Sequence, residues 1–422
     1  MDPDDHRLPT ASTPGAPSRL LQVIKYLKRE IGTPRSEAVE ALATFVLKKT
    51  FVVMMTATTL DDAFLLFRSV NTPGQPLSSL DLIKADLLGR NPASNPEVHK
   101  LAEAWEKLEQ ELSQSQLEQY VGTVLKVFMP SYDGQDLRAG LRDLMTDPQR
   151  ATGFRARLEA FVQNYAAFDT ATLAFGASSN EINRTVACFQ GLPFDDWRPT
   201  ALLWLTSGPA SHMQSGGPSP KKTADFFRFL NALCIGLVIL GVPKGKRLKR
   251  FGRIDQRINE NKDVLALDSD LLLTHQERTE IRTRLKGPLT EKAKYLKALL
   301  LRMNAEMLPA EIPPYFPANI TLEHVLPQNP SRGSRWVQDF PDARLRKDLC
   351  YLLGNMTILT HPANSMVGNA DFAQKRTTLF GVNGNQAFAM NSEIVRRQTW
   401  TDKDILERQE IMLDLADRVM RL

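Results

Sequence analysis

The residues best suited to chemistry lie between positions 320 and 376. Glu323 and His324 close an apolar run, I-T-L-E-H-V-L-P-Q, and Pro327 follows. Asn355 stands just before a second apolar run, M-T-I-L-T, and Asn364 falls in the stretch H-P-A-N-S-M-V-G-N-A-D-F-A-Q-K-R. A neutral imidazole takes a proton from water near neutral pH. A divalent cation on oxygen ligands relieves charge on a phosphorane and its leaving oxygen. Together these groups could hydrolyse a phosphodiester. A histidine such as His324 at the end of one strand, with oxygen ligands nearby, would supply both the base and the cation's site.

The runs around these residues predict strand, loop, strand, then helix. Pro327 fixes the backbone where the first strand exits. Asn355 follows Gly354, which is turn chemistry. Asn369 fits the N-cap of the final helix, ahead of Asp371 and Phe372. His361 reads as a loop residue. A structural histidine at a strand end is the competing reading for His324, and it weakens once the other elements stand in register.

E-H-V-L-P-Q, L-G-N-M-T-I-L and N-x-x-x-x-N-x-x-F-x-x-K follow one another in order. The segment resembles HNH nucleases of the ββα-metal (His-Me finger) type. More closely, it resembles the C-terminal nuclease domain of GmrSD-type restriction proteins, which attack modified phage DNA. The resemblance implies that His324 is the base, Asn355 pins the loop, and Asn364 binds the metal. Glu323 occupies the place of an Asp ligand and is one methylene longer. The implied cofactor is Mg²⁺, with Mn²⁺ as substitute. Lys375 and Arg376, just after the motif, are candidate phosphate contacts.

A second match lies upstream. Phe67 and Asn71 resemble the Phe-x-x-x-Asn motif of that family's nucleotide-dependent domain, and Gly74, Pro76, Leu77, Asp81 and Lys84 fit its continuation. The Asp-Gly-Gln-Gln-Arg signature expected before Phe67 is missing, and Asp133-Gly134-Gln135 falls downstream of it. The segment therefore reads as a remnant of a nucleotide pocket. A separate protein supplying the missing nucleotide-dependent half is an expected partner, and nucleotide hydrolysis by this chain alone is not expected.

Composition sets the outer bounds. The chain has 422 residues, 42% hydrophobic and 24% charged, which is ordinary for a globular protein of two or three domains. Its three cysteines, Cys188, Cys234 and Cys350, are far apart, so no zinc cluster is expected and a reducing cytoplasm is the natural compartment. The net charge of +5 permits DNA binding. No signal peptide is legible, and residues 232–242 are too short to span a bilayer.

Along the chain, residues 1–17 read as a disordered tail. Residues 18–94 hold the nucleotide-domain remnant, with a second helix over 36–49 and a buried strand over 51–56. Residues 95–308 form a helical middle domain, with a continuous helical pattern over 97–120 and a mobile loop over 207–222. Residues 244–253, K-G-K-R-L-K-R-F-G-R, place Lys246, Arg247, Lys249 and Arg250 where they could meet DNA phosphates; a solvated loop is the alternative. Residues 309–422 form the nuclease module, entered through a Pro-rich linker. It closes with a helix over 402–422 whose apolar face holds Ile405, Leu406, Ile411, Met412, Leu415 and Val419. Trp400, Ile405 and Arg408 match a pattern in the family's C-terminus.

The resulting expectation is a mainly α fold, a helical body with a small C-terminal ββα-metal module, acting as a metal-dependent DNA endonuclease against phage with modified DNA. A non-catalytic DNA-binding or regulatory subunit that needs a nucleotide-hydrolysing partner is the alternative. No membrane partner is expected.

Overall fold

The computed structural model describes residues 23–29, 37–51, 54, 56–57, 62, 66, 80, 84, 103, 105–110, 112–129, 132, 136–144, 146–207, 219–289, 295–309, 311–312, 320–360, 369–378 and 388–422. Phe67, Asn71, residues 133–135, His361, Asn364 and most of the 207–222 loop lie outside them. The fold is mainly α, with one two-stranded antiparallel sheet among the described residues. The chain forms two compact units, one of residues 1–128 with 132–159, the other of 129–131 with 160–422.

In the first unit, helix α1 (Glu37–Lys49) opens on Glu37 and Glu40 and ends on Lys48 and Lys49, matching both ends of its dipole. The strand predicted after it does not form at its described positions. Phe51 and Met54 lie in no strand and are exposed, having no partner strand among the described residues. Helix α2 (Gln114–Phe128) buries Leu117, Tyr120, Val121, Val124 and Leu125 at helical spacing. The pattern that runs continuously through 97–120 breaks before it. Ser113 N–H donates to Gln116 Oε1 at 3.0 Å, and Gln116 N–H to Ser113 Oγ at 3.4 Å, so Ser-x-x-Gln starts a new helix. Helix α3 (Leu137–Leu144) follows, and the Tyr120 hydroxyl bonds the Leu158 carbonyl in helix α4 (Pro148–Asp169).

The second unit is organised by aromatic and aliphatic packing. Phe168, Phe189, Trp197 and Phe227 form a cluster with ring centroids 4.4–6.4 Å apart. Around it lie α5 (Ser179–Ala187), α6 (Arg198–Thr206) and α7 (Pro220–Ile239). No helix among the described residues is long and apolar enough to cross a membrane. The three cysteines are free and buried.

The basic segment after Pro243 is not a loop. It forms helix α8 (Lys244–Asn259). Arg247 Nε and Nη2 donate to Asp196 Oδ2 at 2.8 and 2.6 Å. Arg250 is buried, donating to Glu277 at 2.6 Å and to the carbonyls of Asp270 and Leu272 at 2.7 Å each. These two guanidinium groups are consumed by carboxylates and carbonyls, which corrects their expected DNA role. Lys246 and Lys249 are exposed.

Helices α9 (His275–Lys286) and α10 (Leu296–Met307) lead to strand β1 (Ile320–His324), then α11 (Arg335–Asp339), α12 (Ala343–Cys350), strand β2 (Met356–Thr360) and α13 (Phe372–Thr378). Helices α14 (Ser392–Arg396) and α15 (Asp402–Met420) complete the unit. The division drawn at 308/309 runs through shared structure. Met390 N–H donates to Asn304 Oδ1 at 3.2 Å, Leu289 N–H to the Tyr351 carbonyl at 2.8 Å, and Gln409 Nε2 to the Leu285 carbonyl at 3.1 Å.

Helix α15 begins on a capping box, Thr401 with Asp404. Its buried face holds Ile405, Arg408, Gln409, Met412, Leu415 and Val419. Leu406 and Ile411 are exposed instead, because the 3.6-residue period carries them off the stripe that starts at Ile405.

Candidate active site

Strands β1 and β2 pair antiparallel, with His324 opposite Met356 and Glu323 opposite Thr357. Consecutive strand residues point to opposite faces. Glu323 and His324 therefore leave β1 in different directions, and each meets different chemistry.

His324 ends β1. Its ring sits edge-on to Tyr351, centroids 5.8 Å apart at 80°. Its Nε2 lies 3.4 Å from Gln328 Nε2, so an unprotonated Nε2 accepts from that amide. Burial pushes the imidazole pKa down to about 4, and the Lys375 ammonium adds to the shift. The ring is therefore neutral at ordinary pH, with a lone pair available to a proton. The ring can accept a proton from water, as a weaker base than an unburied histidine.

The backbone beyond His324 is held chiefly by one side chain. Asn355 is fully buried in a 3₁₀ turn, Leu353–Asn355. Its Oδ1 accepts from Leu326 N–H at 2.8 Å and from Trp400 Nε1 at 3.0 Å. Its Nδ2 donates to the carbonyls of Leu326 and Cys350, each at 3.0 Å. All four hydrogen bonds an amide side chain can make are thereby filled. Asn355 touches no solvent, so its work is to hold the loop.

The turn is held from behind by α15. Arg408 Nη1 donates to the Gly354 and Met356 carbonyls at 2.6 and 2.9 Å, and Gly354 N–H donates to Gln409 Oε1 at 2.6 Å. A Cβ at Gly354 would sit 2.4 Å from the Ile405 carbonyl oxygen, so only glycine admits this approach. Sequence reading gives Trp400 and Arg408 as parts of a C-terminal pattern and passes over Gln409. A tryptophan, arginine and glutamine set around a capping box were the available signal, though nothing local says what they bind.

Glu323 does not present an open ligand. It is 7% exposed, and Lys375 Nζ lies 2.6 Å from its Oε1 and 3.0 Å from the His324 carbonyl. Burial raises the Glu323 carboxyl above its usual range, and the Lys375 ammonium opposes this. A hard divalent cation needs available oxygen atoms, and this carboxylate is already neutralised by an ammonium. Glu323 thus does not fit as a metal ligand in this arrangement. No group of three or more His, Cys, Asp or Glu that could hold a metal occurs among the described residues.

Lys375 itself is 1% exposed, which corrects its expected role as a phosphate contact. The Glu323 carboxylate within bonding distance offsets the cost of burying the amine at that depth. Arg376 is tied by Nη1 to the Arg397 carbonyl at 3.2 Å and to the Gln398 side chain. Asp371, not Asn369, caps α13, accepting from Gln374 N–H at 2.9 Å. Asn369 instead donates to the Asn329 carbonyl at 2.7 Å.

The buried pair carries a direct test. Lys375→Met is expected to lower unfolding free energy by about 3–5 kcal/mol, because it strands a buried carboxylate. Adding Glu323→Gln should return most of that loss in urea denaturation. If the double variant is no more stable than Lys375→Met, the stranded charge is not the cause.

Residues 275–415 match the family of GmrSD restriction endonucleases, C-terminal domain. The C-terminal part of the chain is a GmrSD-type domain. No curated protein matches the chain. The GmrSD-type match opens at His275, the first residue of α9, and closes at Leu415 within α15. It takes in α9 and α10, which a boundary at 308/309 leaves out. It also contains Glu323, His324, Asn355, Lys375, Trp400 and Arg408, so the hairpin, the turn and the helix behind it belong to one GmrSD-type domain.

Proposed function

We propose that the chain is a DNA endonuclease of the HNH type that hydrolyses phosphodiester bonds, in defence against phage carrying modified DNA. One observation carries the reading. A neutral histidine, with its outgoing backbone clamped by a buried asparagine, stands at the end of a strand in a domain matching restriction endonucleases. His324 Nε2 would take the proton from the attacking water. The Gln328 bond to it, at 3.4 Å, is long enough to yield to that water. Asn355 acts only through the loop, keeping the His324 backbone in place.

Magnesium or manganese is the proposed ion, with Asn364 rather than Glu323 as its oxygen ligand. Asn364 lies outside the described residues, and no catalytic step here depends on that assignment. The test is relaxation of supercoiled plasmid and cutting of phage DNA with modified bases, each with Mg²⁺, Mn²⁺ or EDTA. Cutting of either substrate that EDTA stops supports the proposal. Absence of cutting on both substrates with both metals sinks it, and tight DNA binding in that case would favour a regulatory subunit.

A further inference from the structure

Beside His324 lies a cleft of about 490 Å³. One wall is the segment after Pro327, with the amides of Gln328 and Asn329; the other is α12, with Arg346, Lys347 and Cys350, and Tyr351 just beyond it. His324 does not itself line the cleft, but two of the cleft's lining residues, Gln328 and Tyr351, neighbour its ring.

The chain between the two strands, residues 325–355, is net basic, with Arg332, Arg335, Arg344, Arg346 and Lys347 against Asp339, Asp342 and Asp348. Asp342 is occupied as the cap of α12, accepting from Arg344 N–H at 2.8 Å and Leu345 N–H at 3.1 Å. Arg332, Arg335, Arg344 and Lys347 are exposed, and no carboxylate among the described residues pairs with any of them. Helix α8 is the opposite case. Its Arg247, Arg250, Arg253 and Arg257 are all held by carboxylates. The basic segment between the strands is also firmly mounted. Trp336 Nε1 donates to the Ala370 carbonyl at 2.8 Å, and Asn369 Nδ2 to the Asn329 carbonyl at 2.7 Å.

We infer that the face formed by Arg332, Arg335, Arg344 and Lys347, with the cleft beside His324, binds the phosphate backbone of the DNA strand to be cut. Unpaired guanidinium and ammonium groups bind phosphates without first breaking an internal ion pair. The amides and Tyr351 lining the cleft offer hydrogen bonds and a ring face to the nucleotide next to the scissile phosphate. The inference rests on the nuclease reading for what is cut, and on charge and geometry for where the strand lies.

Binding is measured by fluorescence anisotropy with labelled duplex DNA in EDTA, so no cutting occurs. The set Arg332→Glu, Arg335→Glu, Arg344→Glu and Lys347→Glu should lose at least about tenfold in affinity, and its salt dependence should flatten by about three to four in log–log slope. The pair Lys246→Glu and Lys249→Glu on α8 should change affinity less than twofold. The same four positions changed to Gln should lose affinity in the same direction with an unaltered melting curve, which keeps the test decisive if the Glu set misfolds. Undetectable binding by the wild type, an unchanged Gln set, or an equal loss in the α8 pair overturns the inference. Binding that depends on this face without any cutting would leave the surface standing and remove the nuclease reading alone.

Discussion

Replacing His324 with alanine is expected to slow DNA cleavage by about 10²–10⁴-fold, the usual contribution of a positioned base. The fold should survive, because the loop behind the ring is held by Asn355 and not by the imidazole. The edge-on contact with Tyr351 is worth only about 0.5–1.5 kcal/mol, so the melting curve should move little. The pH profile adds an independent signature. In the free protein the imidazole pKa is pushed down to about 4, first by burial and then by Lys375. The base form is present above that value and disappears below it, so the acidic limb of kcat/KM should lie near pH 4 instead of near the ordinary histidine value of about 6.5. A bound phosphate brings negative charge close to the ring and favours its protonated form. The acidic limb of kcat should therefore lie at higher pH than that of kcat/KM. Wild-type rates in the alanine variant, or an acidic limb insensitive to His324, would remove the residue from the reaction.

Asn355→Ala should be the most damaging single change to the site's architecture, costing about 4 kcal/mol of unfolding free energy. It removes four hydrogen bonds at once, leaves Leu326 N–H and the Trp400 indole N–H without their acceptor in a fully buried position, and leaves the Leu326 carbonyl with only the weak Cys350 thiol donor. Each stranded buried group costs about 1–3 kcal/mol, partly recovered by relaxation. Asn355→Asp is no remedy, since two donations to carbonyls become contacts between oxygens. Urea denaturation measures the effect, and a loss below about 1 kcal/mol would mean the turn is held chiefly from α15. Activity should fall even where the variant remains folded, because the backbone leaving His324 is no longer fixed.

The joints of the site are legible in the sequence because their residue types conflict with their surroundings. A histidine and an asparagine bordering apolar strand-like runs must be satisfied or used, and His324 and Asn355 stand where that reasoning puts them. The closing helix is equally legible, since Thr401 and Asp404 mark its start and Ile405, Met412 and Val419 its face. Charge is not legible in the same way. Lys375 and Lys347 look alike in a sequence, yet one is buried against Glu323 and the other open to solvent. Arg250 next to Lys249 reads as one basic patch until Glu277 folds back onto it. Pairing between residues far apart along the chain decides these cases, and no local pattern records it. The same holds for the domain boundary, where a proline-rich segment suggests a linker while Asn304 bonds Met390 across it.

The contacts that shape the turn around Asn355 have a kinetic meaning as well. Trp400 reaches Asn355 across 45 residues of chain, and Arg408 and Gln409 reach Gly354 across 54 and 55. Each closure must offset the entropy of a long loop before its hydrogen bonds return anything. The turn cannot assemble as a local hairpin and wait for the rest. It is expected to form together with α15, and the amide protons of Leu326 and Gly354 should then exchange only when the whole unit opens, which hydrogen exchange would measure. Assembly of the turn is thereby tied to folding of the whole unit.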